Sequence, residues 1–195
     1  MVVTRSQAKA AREAELKSCV TTGAHAPSQP PVRPSTPQLK QASIHTQNEP
    51  TACWVDASAT RIAVVIGYDY ITFSLKKGWQ TKKRDINWAE TVAFELLALL
   101  LVARGQIGAV KVRSDSHTAL RAVGGSRIRV REIMDSTQRL NALVSTSGFT
   151  IKGVKVPTKG NLADPFTRGK KVEGYRKMAD AIVIPEALIP FLVAE

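Results

Sequence analysis

Four carboxylates stand out by the backbone on which each sits: Asp56, Glu90, Asp115 and Asp164. Asp56 follows Trp54 and Val55 in an apolar run, where an unpaired charge is costly to bury and asks for a cation or hydrogen-bond donors. Asp115 repeats the pattern after Val110, Lys111, Val112, Arg113 and Ser114, and ends of adjacent strands are where sites collect in open α/β sheets. Glu90 opens a long apolar helical stretch, and Asp164 precedes Pro165 in a loop. Each has a plain structural alternative: Asp56 as a strand-edge turn residue, Glu90 as a capping glutamate, Asp164 as a turn or N-cap residue. If the four converge, they build an oxygen-rich pocket suited to two hard divalent cations with a phosphodiester between them. Mg2+ fits such ligands, and Mn2+ is expected to substitute. One ion would lower the pKa of an attacking water and the other would stabilise the leaving 3′ oxygen. At ~5 Å and an effective dielectric of ~20, each like-charged pair repels by roughly 3 kcal/mol, so the cluster raises its own pKa values unless cations neutralise it.

Glu95 is the alternative acidic residue on the same helix. It lies five residues after Glu90 and is turned from it by about 140°, so the two do not point equally well into one site. Glu90 is preferred.

The elements that must position these residues follow from periodicity. Residues 54–56, 62–66 and 70–75 read as three strands with short connections, an antiparallel meander. Asn87 is a good N-cap, with Glu90 three residues on as a capping-box partner, and apolar residues then run to Ala103. A helix apolar on most sides belongs at the centre of a domain. Gly105 ends it, 109–113 is a strand, and 117–123 a short helix stopped by Gly124 and Gly125. Residues 131–144 form an amphipathic helix with Ile133, Met134, Leu140 and Leu143 inward; 149–156 is a strand and 171–182 a last helix. The sum is an α/β fold, a mixed five-stranded sheet flanked by helices.

The motifs around the carboxylates resemble the ribonuclease H domain that follows reverse transcriptase in retrotransposons and pararetroviruses. The resemblance spans about residues 51–171 and rests on the VDAS start at Asp56, the INWAE helix start at Glu90, RSDSHTAL at Asp115 and VPTKGNLADPFTRG at Asp164. It implies a ribonuclease H-like fold, the four carboxylates as catalytic metal ligands, two Mg2+ ions, and hydrolysis of the RNA strand of RNA–DNA hybrids to 5′ phosphate and 3′ hydroxyl ends. It also brings a reverse transcriptase or other retroelement protein into view as a partner. Two departures stand beside it. The loop before Asp164 reads Pro157, Thr158, Lys159, Gly160, without the histidine of the cellular enzymes, leaving His117 as the nearby histidine. There is no Tyr-x-Asp-Asp polymerase turn. A transposase or integrase core would need a glutamate about 35 residues after the second Asp, where Thr150 stands.

The formal charge is +12; residues 1–50 carry +3 (six basic, three acidic) and residues 51–195 carry +9 (22 basic, 13 acidic). A basic folded part with an acidic site fits nucleic acid as partner, since Lys and Arg release counterions condensed on a polyphosphate. Candidate contacts are Arg127, Arg129 and Arg131, on one face if extended; Lys152, Lys155 and Lys159; and Arg168, Lys170 and Lys171. Trp79 and Trp88 flank a basic run and are candidates to grip a backbone or to pack the core. Residues 1–50, rich in Pro, Ser, Thr and Gln from 20 onward, read as a disordered basic tail with a marginal helix at 4–17. Residues 51–195 read as the ribonuclease H-like domain with a C-terminal helical extension. Two cysteines, Cys19 and Cys53, no apolar leader and no membrane span point to an intracellular chain, in nucleus or cytoplasm.

Overall fold

Alternation of side chains across the meander gives its three strands two different faces. In the computed structural model, which describes residues 52–194, these are β1 (Ala52–Ala57), β2 (Arg61–Ile66) and β3 (Asp69–Leu75), paired antiparallel in sequence order. The expectations for the tail, its helix at 4–17 and Cys19 lie outside the described residues.

One face of the meander, with Val55, Ile62, Val64 and Phe73, enters the main core. The other carries Trp54, Asp56, Ala63, Val65 and Tyr70, and a smaller cluster forms there with Ala163 and Phe166. The long apolar helix α1 (Ile86–Ala103) lies against the first face and buries residues on nearly every side, including Trp88, Phe94, Leu97 and Leu101. It is long and apolar enough by composition to cross a membrane, but most of it is buried inside the domain, where the sheet and neighbouring helices use that apolarity.

β4 (Gly108–Ser114) runs parallel to β1, and β5 (Phe149–Lys155) parallel to β4. Between them come α2 (His117–Val123) and α3 (Arg131–Thr146), which pack with α1 on the same side. Ile133 and Leu140 of α3 face inward as expected, whereas Met134 is exposed and Ser136 takes a buried position. Val130 before it and Met134 thus share an outward surface, a shift of the helix's inner stripe toward Ser136 and Glu95.

After a single 3₁₀ turn at Thr158–Gly160 and the one-turn helix α4 (Asp164–Thr167), the chain departs from expectation. No helix forms over 171–182. Gly174 adopts φ +81, which breaks a helix early, and the outer edge of β3 offers carbonyls that claim the backbone instead. The N–H groups of Arg176 and Met178 donate to the carbonyls of Tyr68 and Tyr70 at 2.9 and 2.7 Å, forming β6 (Arg176–Lys177). β7 (Leu192–Ala194) covers the other half of that edge. Among the described residues the sheet therefore has seven strands, in order β5-β4-β1-β2-β3-β6 with β7 also on β3, where five were expected. The two extra strands close an edge that would otherwise be free to pair with another chain.

Candidate metal centre

Parallel pairing of β1 with β4 sets the C-terminal ends of both strands side by side, and two of the carboxylates sit there. Asp56 is the fifth residue of β1 and lies on the face opposite the main core, 4% exposed. Asp115 follows the last residue of β4. Glu90 comes from the first turns of α1 and reaches the same point around the end of β1, where the Ala57 N–H donates to it. One carboxylate oxygen from each of Asp56, Glu90 and Asp115 lies within 4.8 Å of the others.

The helix start explains why Glu90 is available. The N-cap is Asp85, not Asn87: its carboxylate accepts from the N–H groups of Asn87 and Trp88, at 3.0 and 3.3 Å. Glu90 is thereby beyond the capping turn and has no orphan N–H to serve. Its Oε2 is buried without a hydrogen-bond partner. Glu95 points elsewhere, fully buried and held by Arg139 Nε at 2.6 Å and by the Ser136 hydroxyl at 2.6 Å.

The closing loop supplies the remaining contacts. Asn161, 3% exposed, places its Nδ2 at 3.2 Å from Asp56 Oδ1, 3.1 Å from Asp115 Oδ1 and 3.0 Å from the Val55 carbonyl. The Thr167 hydroxyl lies 3.1 Å from Asp56 Oδ2, and Thr158 donates to Asp115. Sequence reasoning quoted Asn161 and Thr167 only as letters of a motif and gave neither a role. Asp164 stands apart from the three clustered carboxylates: its two oxygens are taken by the Arg168 guanidinium, with contacts from 2.7 Å, although its charge is still felt at Asp56.

Burial, then the Asp115 charge, pushes Asp56 up to about 7. Burial, followed by the charges of Asp56 and Asp115, pushes Glu90 up to about 9. Asp115 is also desolvated, but hydrogen bonds from Thr158 and Asn161 outweigh this and hold it below the usual carboxylate range. Three hard oxygen donors, one of them orphaned, fit a divalent cation, whose ligands at ~2.0–2.6 Å sit at most ~4–5 Å apart. Without a cation, raised folded-state pKa values for Asp56 and Glu90 mean stability that is fully present at about pH 4 and lost as pH rises through 7 and then 9. Melting of metal-free protein is therefore expected at steadily lower temperature from pH 5 to pH 9, with Mg2+ or Mn2+ at ~100 times Kd restoring ~2.7 kcal/mol, or ~5–10 °C. A pH-independent melt that ignores both ions would remove the cation site.

The expected basic contacts are dispersed. Arg127 and Arg129 are exposed on the 126–130 segment, which forms neither helix nor strand, and Arg131 opens α3, where it pairs with Asp135 at 3.7 Å. Lys152 and Lys155 lie three residues apart on β5 and so face opposite sides of the sheet, which breaks the expected stripe with Lys159. Lys159 lies in the 3₁₀ turn next to Thr158, and Arg168 is engaged with Asp164. Trp79 and Trp88 are both core residues, stacked with ring centroids 5.6 Å apart. His117 is exposed at the first position of α2.

No family model and no curated protein matches this chain in sequence. Solved structures are similar to it in fold. LC11-RNase H1 in complex with an RNA/DNA hybrid is 17% identical, with 61% of this chain and 94% of that one covered and a TM-score of 0.50. RNase H1 from the halophilic archaeon Halobacterium salinarum NRC-1 is 13% identical, covering 59% and 91%, with a TM-score of 0.43. The N-terminal RNase H domain of a Mycobacterium tuberculosis protein, solved as a fusion with maltose-binding protein, is 16% identical, covering 61% and 98%, with a TM-score of 0.42. The fold is ribonuclease H-like. On it sits an acidic cluster consistent with divalent-metal binding.

Proposed function

We propose that the chain is a metal-dependent endonuclease hydrolysing the RNA strand of RNA–DNA hybrids, derived from a retroelement reverse transcriptase polyprotein. The observation that carries this reading is the meeting of Asp56, Glu90 and Asp115 within 4.8 Å at the strand ends, with Glu90 Oε2 buried and unpartnered. A structural neighbour captured with an RNA/DNA hybrid supports the substrate class, and the motif from Val156 to Gly169 supports the retroelement origin. On this reading the chain works in nucleus or cytoplasm, with a reverse transcriptase or other retroelement protein as a candidate partner.

Asp56, Glu90 and Asp115 would hold the metal, with Mg2+ the preferred ion and Mn2+ a substitute. Bound divalent cations supply activation of water and neutralisation of charge on the leaving oxygen. Asn161 ties Asp56 to Asp115 and to the β1 backbone, which fixes the distance between the two strand ends. Thr167 orients the second oxygen of Asp56. Asp164 joins the site only by leaving Arg168, and that clamp favours a second reading, a ribonuclease H fold that binds nucleic acid without turnover.

Cleavage of an end-labelled RNA–DNA hybrid in Mg2+ and in Mn2+ decides between them. Binding without cleavage in either ion would leave the second reading. For either, hybrid affinity is expected to fall steeply with salt, by an amount that grows with each phosphate contacted, as counterion release requires. A flat salt response would count against the basic surface as the binding face.

A further inference from the structure

Every carboxylate of the cluster already has an oxygen committed to a hydrogen-bond donor. Asn161 Nδ2 lies 3.2 Å from Asp56 Oδ1 and 3.1 Å from Asp115 Oδ1, and the Thr167 hydroxyl lies 3.1 Å from Asp56 Oδ2. The Ala57 N–H donates to Glu90, and since Oε2 has no hydrogen-bond partner the bond falls on Oε1. Asp56 is thus held by both of its oxygens, and Asp115 and Glu90 are each held by at least one.

The donors are themselves fixed. Asn161 and Thr167 are both buried. The amide is oriented from its other end: Asn161 Oδ1 accepts from the Ala163 N–H at 3.2 Å, which turns the NH2 group toward the two carboxylates and the Val55 carbonyl. Thr167 is held through its carbonyl, which accepts from the Ser58 hydroxyl at 3.1 Å, and Phe166 beside it is buried in one cluster with Ala63 and Val65 of β2. The Thr167 hydroxyl has one proton and a second acceptor, the Asp164 carbonyl at 2.8 Å. An ionised Asp56 is the stronger acceptor of the two.

A carboxylate chelates an ion only when both oxygens turn to it. Donors on both oxygens of Asp56, and on one oxygen each of Asp115 and Glu90, oppose that turn and leave each group to give a single oxygen. Ca2+ takes about six to eight oxygens at ~2.3–2.6 Å, often with carboxylates bound through both oxygens, whereas Mg2+ takes about six at ~2.0–2.1 Å and keeps several waters. Single oxygens supplemented by water are a poor supply for the first ion and a sufficient one for the second.

We infer that Asn161 and Thr167 set the ion preference of the site: by pinning the oxygens of Asp56 and Asp115 they admit Mg2+ or Mn2+ and disfavour Ca2+. The inference rests on the acidic cluster being a cation site and adds which residues choose the ion. Both are positioning residues, because they act through the carboxylates they hold.

The test is displacement of Mn2+ from the full chain, without nucleic acid and at one pH, by Mg2+ or by Ca2+, followed by electron paramagnetic resonance. Wild type should release Mn2+ at a lower concentration of Mg2+ than of Ca2+. Thr167→Val keeps the shape of the side chain but lacks the O–H, and the preference for Mg2+ over Ca2+ should fall by roughly tenfold, the low end of what loss of an outer partner costs a metal site. Thr167→Ser keeps the hydroxyl and should keep the wild-type ratio. Asn161→Ala frees an oxygen on two carboxylates and should shift the ratio further. It also unbraces the Val55 carbonyl, so Thr167→Val decides alone where that variant does not fold. A Thr167→Val protein that weakens both ions by the same factor would give Thr167 a merely structural role and overturn the inference, as would wild type that takes Ca2+ as readily as Mg2+. Wild type that takes up none of the three ions would remove the cation site itself, which is a different failure. No hybrid is present, so the displacements report on the site whether or not the chain cleaves one.

Discussion

Replacing Asp56 or Asp115 by asparagine should abolish Mg2+-dependent hydrolysis of an RNA–DNA hybrid while leaving hybrid binding equal to or tighter than wild type. Both residues sit at the point where the parallel strands end, and their carboxylates face each other and Glu90 across less than 4.8 Å. A cation held by three carboxylates contributes several kcal/mol of charge stabilisation to the transition state, and each ~1.4 kcal/mol is tenfold in rate, so a loss of ~1000-fold or more is expected. Binding moves the other way, because each substitution removes a negative charge that repels phosphate. Unfolding is not a route to the same result. An asparagine at 56 still offers an oxygen to Thr167 or Asn161 and no longer has to be ionised where burial and Asp115 hold its proton up to about pH 7. Metal-free Asp56→Asn should therefore melt at or above wild type at pH 8, and a variant that cleaves at more than a tenth of the wild-type rate would disconnect these carboxylates from the chemistry.

The chain announced its fold through patterns that depend on near neighbours. Alternation defined the meander and the unbroken apolar stretch defined α1, and both lie within a residue or two of their expected ends. Helix rotation showed that Glu90 and Glu95 do not serve one site equally well, the resemblance of the helix start chose Glu90, and the structure puts Glu90 in the cluster and Glu95 against Arg139. What was not legible depends on distant partners. Asn161 meets Asp56 across 105 residues and Thr167 meets it across 111, and neither an amide nor a hydroxyl carries a sequence signature for orienting a carboxylate. Asp164 looked like a fourth ligand because its motif is specific, yet an arginine one helical turn on claims its oxygens. The helix expected at 171–182 failed because the edge carbonyls of β3 compete for the same backbone donors.

The same competition shapes the other large effect. Arg139→Ala should lower stability by ~3 kcal/mol, the low end of what breaking a buried pair costs, and the melting temperature by ~6–12 °C. Glu95 is fully buried in the middle of α1, where its two oxygens accept from Arg139 at 2.6 and 2.9 Å and from Ser136 at 2.6 Å. Removing the guanidinium leaves a carboxylate with one hydroxyl donor in a site walled by Leu99 and Leu143. Arg139 is 30% exposed, so water reaches the gap and limits the loss. If the penalty is the orphaned charge and not the lost contact, the Glu95→Leu/Arg139→Leu double variant should recover most of the melting temperature, because apolar groups of similar volume replace a buried pair at little cost. An Arg139→Ala melt within a degree of wild type would show that Ser136 and solvent suffice. Metal binding should be untouched in both variants below their melting range, since Glu95 lies outside the cluster of Asp56, Glu90 and Asp115. The two glutamates of one helix thus divide the work: Glu90 keeps its Oε2 without a hydrogen-bond partner at the strand ends, and Glu95 is fully partnered where α1 meets α3.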